Sequence, residues 1–163
     1  MTLVFIIMHT FKNMSLKKIL FGKKITLIDD FFGRIESNRT RSDAAESLTW
    51  CFNIKIANFR DETFVIADGN YLGINSRFKS SLKEFIVNFE QKYSLEIDKL
   101  IASDDKYLEF KNWKTTHFIS LIVQTDDSND SFDFDIESYD NEDDRFSIEF
   151  INQKLQNMEI ANK

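Results

Sequence analysis

Apolar and polar residues follow two rhythms along this chain. Over positions 48–56 every second residue is apolar (Leu48, Trp50, Phe52, Ile54, Ile56), the period of a half-buried strand, with Cys51 on the opposite face. Phe132, Phe134 and Ile136 alternate in the same way with Asp133, Asp135 and Glu137, and Phe146, Ile148 and Phe150 repeat the pattern over 145–151. Positions 24–28 and 31–36 read as two strands of a hairpin turning at Asp29-Asp30. A further strand over 62–67 ends at an Asp68-Gly69-Asn70 turn, and 116–124 is a near-continuous apolar strand. Positions 152–155 make a turn into a closing strand over 156–161 with Met158 and Ile160 inward; a short helix over 150–160 is the alternative.

The second rhythm is helical. Phe78, Leu82, Phe85, Ile86, Phe89, Tyr93, Ile97, Leu100 and Ile101 recur at three- and four-residue spacing, with charges on the other side. Asn75 or Ser76 can cap the start, Ser94 marks a candidate bend or a break between two shorter helices, and Ser103-Asp104-Asp105 ends the element. A helix of up to ~25 residues needs a broad apolar partner, which a sheet supplies. The pattern therefore predicts an α+β domain: an antiparallel sheet of about seven or eight strands in hairpins and a meander, with one long amphipathic helix across it. Positions 15–21 read as a short amphipathic turn or helix, and 37–46 as a polar loop.

Composition bounds the function. A chain of 163 residues, 42% hydrophobic and with 17 phenylalanines, has material for one well-filled core. The expected division is a single domain over 14–163, preceded by an apolar extension over 1–13. That extension reads either as an added edge strand or tail, or as sequence upstream of a true start at Met14. Its apolar run, Leu3 to Met8, is far shorter than the ~20 residues of a membrane span and lacks the layout of a secretory signal. A cytoplasmic protein without membrane association is expected. One cysteine allows no internal disulfide framework, which suits a reducing compartment. One cysteine and two histidines leave no room for a Cys/His zinc site in one chain. No cofactor or metal is assigned. Proline is absent, so turns rely on Asn, Asp, Ser and four glycines.

The net charge of −6 hides a strong gradient. Residues 1–60 hold 10 bases and 5 acids; residues 126–163 hold 3 bases and 12 acids. Between 126 and 144 lie 10 acids and no base: Asp126, Asp127, Asp130, Asp133, Asp135, Glu137, Asp140, Glu142, Asp143 and Asp144. Three readings fit: a solvated outer face that deters aggregation, a surface for a basic protein, or a cation site. The nearest calcium-loop pattern, Asp127-x-Asn129-x-Ser131, fails downstream, with Phe132 where the loop needs Gly and Ser138 where it needs Glu. Candidate partner-binding residues are Asp133, Asp135, Glu137, Asp140, Glu142, Asp143 and Asp144, with Tyr139 and Trp113 as aromatic anchors.

Catalytic signals are weak, and no catalytic residue is assigned. His117 reads as a packed or solvated residue at a strand start, and Cys51, between Trp50 and Phe52, as a small buried side chain without a base beside it in sequence. Asp68-Gly69-Asn70-Tyr71-Leu72-Gly73 lacks the spacing and lysine of a phosphate loop and reads as a strand-to-helix connector. Lys17, Lys18, Lys23 and Lys24 around Phe21 fall short of a nucleic-acid patch.

One resemblance bears on function. Leu16-Lys17-Lys18-Ile19-Leu20-Phe21-Gly22-Lys23-Lys24-Ile25, followed by Asp30-Phe31-Phe32-Gly33 and closed by Tyr139-Asp140-Asn141-Glu142-Asp143-Asp144, resembles small acidic bacterial α+β proteins of toxin–immunity loci, including contact-dependent and type VI secretion systems. The order of elements covers about residues 15–160. Gly73-Ile74-Asn75-Ser76 stands where a Gly/Pro-rich linker usually precedes the helix in such proteins. The resemblance implies a non-enzymatic immunity protein that binds a cognate toxin with a basic active-site surface. The alternatives are a small carboxylate-using enzyme or divalent-metal-binding domain, and a homo-oligomeric structural protein pairing through 1–13.

Overall fold

The computed structural model describes residues 24–38, 48–126, 131–141 and 143–160. The expected extension over 1–13, the start at Met14, the amphipathic segment over 15–21 and all but the first two residues of the loop over 37–46 lie outside the described residues.

Among the described residues nine strands form one sheet: β1 (Lys24–Asp29), β2 (Gly33–Asn38), β3 (Leu48–Ile54), β4 (Thr63–Asn70), β5 (Gly73–Ile74), β6 (His117–Asp126), β7 (Ser131–Ser138), β8 (Arg145–Ile151) and β9 (Lys154–Ile160). Their spatial order is β1-β2-β3-β4-β6-β7-β8-β9, with the short β5 paired to β4. Every pairing is antiparallel except β4–β6, which runs parallel at the centre of the sheet. A parallel pair needs a crossover, and the helical segment supplies it.

The hairpins follow from local chemistry. Asp29 Oδ1 accepts hydrogen bonds from the amides of Phe31 and Phe32 at 2.9 and 3.1 Å, and Gly33 takes the left-handed φ of 73° that ends a three-residue loop. Phe31 and Phe32 therefore belong to the turn, not to the returning strand. Asn152 and Gln153, with φ of 49° and 61°, make a two-residue turn between β8 and β9, so the C-terminal segment is a strand. The Asp68-Gly69-Asn70 turn does not form. β4 runs on through Asn70, the chain reverses at Tyr71-Leu72, and Gly69 and Asn70 pair with Ile74 and Gly73.

The helical layer corrects the expected single long helix. It consists of α1 (Ser76–Val87), a π-helical turn (Phe89–Tyr93), α2 (Ser94–Ala102), a 3₁₀ segment (Asp105–Phe110) and one short turn, α3 (Trp113–Thr116). The Asn75 side chain caps α1 through the amides of Arg77 and Phe78. The break has a geometric cause. Phe85, Phe89, Tyr93, Ile97 and Ile101 are spaced by four, and in an α-helix each such step overshoots one turn by about 40°. Over four steps the stripe would drift by roughly 160°, to the far side of the helix. The wider π turn absorbs part of that drift, and all five side chains end no more than 3% exposed.

These side chains pack on one face of the sheet. Phe85 meets Phe132, Phe134 and Phe150 at ring separations of 5.2–5.5 Å, Phe78 meets Phe132, and Tyr93 meets Phe150. Bulges adjust the strands to this face. Ser120 is an extra residue on β6 between the pairs Ile119–Ile136 and Leu121–Asp135, so Ile119 and Ile122 both point inward across a three-residue spacing. The opposite face bears no helix among the described residues. No helix among them is long and apolar enough to cross a membrane.

Candidate functional site

Residues directly opposite each other in an antiparallel pair share a face. The β7–β8 register sets Asp133 beside Glu149, Asp135 beside Ser147 and Glu137 beside Arg145. Phe132, Phe134 and Ile136, the alternate residues, are buried under the helices, so these acids look out from the face opposite the described helices. β9 adds Glu159 opposite Ser147. Asp133, Ser147, Ile148, Glu149, Asn157 and Glu159 line a cleft of about 210 Å³. A bulge shapes it: Gln156 and Asn157 together face Glu149, and Asn157 Nδ2 donates to Glu149 Oε2 at 3.4 Å. Ser147 Oγ donates to Asp135 Oδ1 at 2.5 Å.

Among the described residues no ion pair links Asp133, Asp135, Glu149 or Glu159 to a cation. Burial pushes the Asp133 carboxyl above its ordinary range, and the charges of Glu149, Asp135 and Glu159 push it further. Among the described residues no three His, Cys, Asp or Glu side chains are grouped so that they could hold a metal ion.

The acidic block thus divides. Asp133, Asp135 and Glu137 belong to the sheet face, whereas Asp140, Asp143 and Asp144 lie in the β7–β8 loop. Asp140 and Asp143 are exposed, with Asn141 Oδ1 accepting from the Asp143 amide at 3.1 Å. The Asp144 carboxylate lies 3.6 Å from His117 Nε2. His117 is buried between the rings of Phe110 and Phe146, with Nδ1 2.7 Å from Thr116 Oγ1. Asp127, Asp130 and Glu142 lie outside the described residues.

The two aromatic anchors fare differently. Tyr139 is half-buried: its ring stacks on Phe118 at 5.1 Å, the Arg60 guanidinium covers it at 4.1 Å, and its hydroxyl accepts from the Arg60 amide at 3.0 Å. Trp113 is a correction. It is 1% exposed, packs near Phe59 and Phe89, and donates its indole N–H to Asp98 at 2.9 Å. It fills the core and offers a partner no surface.

Sequence reasoning missed Glu149 and Glu159 as members of the cluster, and with them the apolar neighbours. The β6 register puts Val123 beside Asp133, Leu121 beside Asp135 and Phe118 beside Glu137. Beyond β6, Phe64 and Ile66 of β4 pair with Leu121 and Val123, and Cys51 of β3 pairs with Ile66. Burial pushes the Cys51 thiol up, away from the thiolate a nucleophile requires. No protein-family model, no curated protein and no solved structure matches the chain.

Proposed function

We propose that this chain is a non-enzymatic binding protein of the immunity type, which engages a basic toxin through the anionic side of its sheet. The observation that carries the reading is the pairing of Asp133 with Glu149 beside Asp135 and Glu159, with no cation paired to them among the described residues. Like charges held together on one face cost folding free energy. Such a cost is offset when a cationic surface docks. An active-site cleft that handles nucleic acid or phosphate is cationic, and an anionic face is steered to it by long-range attraction.

The test is co-expression with the polypeptide encoded beside this gene, scored by growth and by co-purification. The triple variant D133K/D135K/E137K should lose protection and co-purification while keeping its circular dichroism spectrum. Protection that survives charge reversal overturns the reading.

A further inference from the structure

The face of the sheet opposite the described helices is not uniformly acidic. Two rows of side chains cross it in register. One runs Cys51, Ile66, Val123, Asp133, Glu149 over β3, β4, β6, β7 and β8. The other runs Phe64, Leu121, Asp135, Ser147, Glu159 over β4, β6, β7, β8 and β9. In both, apolar side chains on β4 and β6 give way to carboxylates on β7 to β9. Phe64 is 41% exposed, and Ile66, Leu121 and Val123 are partly open.

We infer that this face docks an amphipathic basic helix of a protein partner, its apolar side chains on Phe64, Ile66, Leu121 and Val123 and its Lys or Arg side chains over Asp133 and Glu149. The spacings match. Neighbouring strands are about 4.8 Å apart, and alternate residues along a strand about 7 Å. Side chains three or four apart on a helix are about 5–6 Å apart at Cβ. A helix whose apolar stripe covers β4 and β6 therefore brings cations one position round its circumference to within a long side chain's reach of β7 and β8. Charge complementarity selects a basic partner over an acidic one, since no counterion is paired to these acids among the described residues. The inference rests on the binding reading above and adds the apolar half of the surface to it.

The probe is a synthetic helical peptide of ~18 residues with leucines at i, i+4 and i+7 and lysines flanking them, compared with the same peptide carrying glutamates. Anisotropy should show binding at least about tenfold tighter for the lysine form. Amide chemical shifts of the full chain should move at residues 64–66 and 121–123. F64S/L121S should weaken binding by about tenfold or more, as should D133N/E149Q, whose near-isosteric changes keep the fold. Equal binding by F64S/L121S overturns the apolar half, while the toxin experiment still judges the anionic reading on its own. Failure of the lysine peptide to bind, or a dimer of the chain that dissociates in F64S/L121S, overturns the inference outright.

Discussion

Asp133 on β7 and Glu149 on β8 stand directly opposite each other, two carboxylates on one face of an antiparallel pair. Opposed like charges cost roughly 0.2–1 kcal/mol. The raised Asp133 pKa means that the folded chain holds this proton more tightly than the unfolded chain does. Stability therefore falls as pH rises from the ordinary carboxylate range, about 4, through the raised folded value. D133N should gain about 0.5 kcal/mol at neutral pH and flatten that slope. Denaturant unfolding across the acid-to-neutral range checks both, and a D133N variant less stable at neutral pH rejects the repulsion.

Asp29 has the opposite sign. Burial works to raise its pKa, but Lys79 from α1 at 2.6 Å and the amides of Phe31 and Phe32 together outweigh burial and hold the carboxyl below its ordinary range. The stability it contributes is present above the unfolded pKa and is lost as pH falls through the folded one. D29N should cost ~1–2 kcal/mol near neutrality and little at acid pH, where the native carboxyl is protonated too. K79M should cost less, ~0.5 kcal/mol, because the two amides remain and Lys79 is partly solvated. Thermal unfolding of both variants at two pH values separates them.

Phe85 is the hub of the aromatic core, fully buried against Phe89, Tyr93, Phe132, Phe134 and Phe150. F85A should destabilise by ~3–5 kcal/mol. V87A, two residues away and 64% exposed, should change stability by less than ~0.5 kcal/mol. Similar losses in the two variants would remove Phe85 from the centre of the core.

Gly69 and Gly33 resist substitution for different reasons and to different degrees. A Cβ on Gly69 would lie 2.1 Å from the Gly73 carbonyl oxygen, so G69A must open the β4–β5 hairpin. Gly33 has open space around it but a φ of 73°, so G33A should cost only ~1 kcal/mol, and G33N should recover part of that. A smaller melting-temperature drop for G69A than for G33A would reject the steric argument.

Much of this fold was legible because its strands are half-buried. The alternation around Trp50, Phe134 and Ile148 marks three strands without any knowledge of their partners. The helix stripe was legible as a face, and its run of four-residue spacings held the cause of the π turn, though straight-helix geometry hid it. Glu149 escaped as a site residue because its place opposite Asp133 depends on the register set by the β7–β8 loop. Trp113 escaped as core because no period surrounds it in the short 3₁₀ and α3 turns. The parallel β4–β6 pair left no local mark, since its two strands are separated by the whole helical layer.

That central pair has a kinetic meaning. β1 to β5 and β6 to β9 are two runs of neighbours in sequence, each able to zip by short hairpins. Among the described strands their ladders join where Phe64, Val65 and Ile66 meet Leu121, Ile122 and Val123, after the longest loop closure between paired strands of the described sheet. Loop-closure entropy makes the seam at β4–β6 the expected slow step of assembly, and the place where two separately made halves of the chain would have to recognise each other.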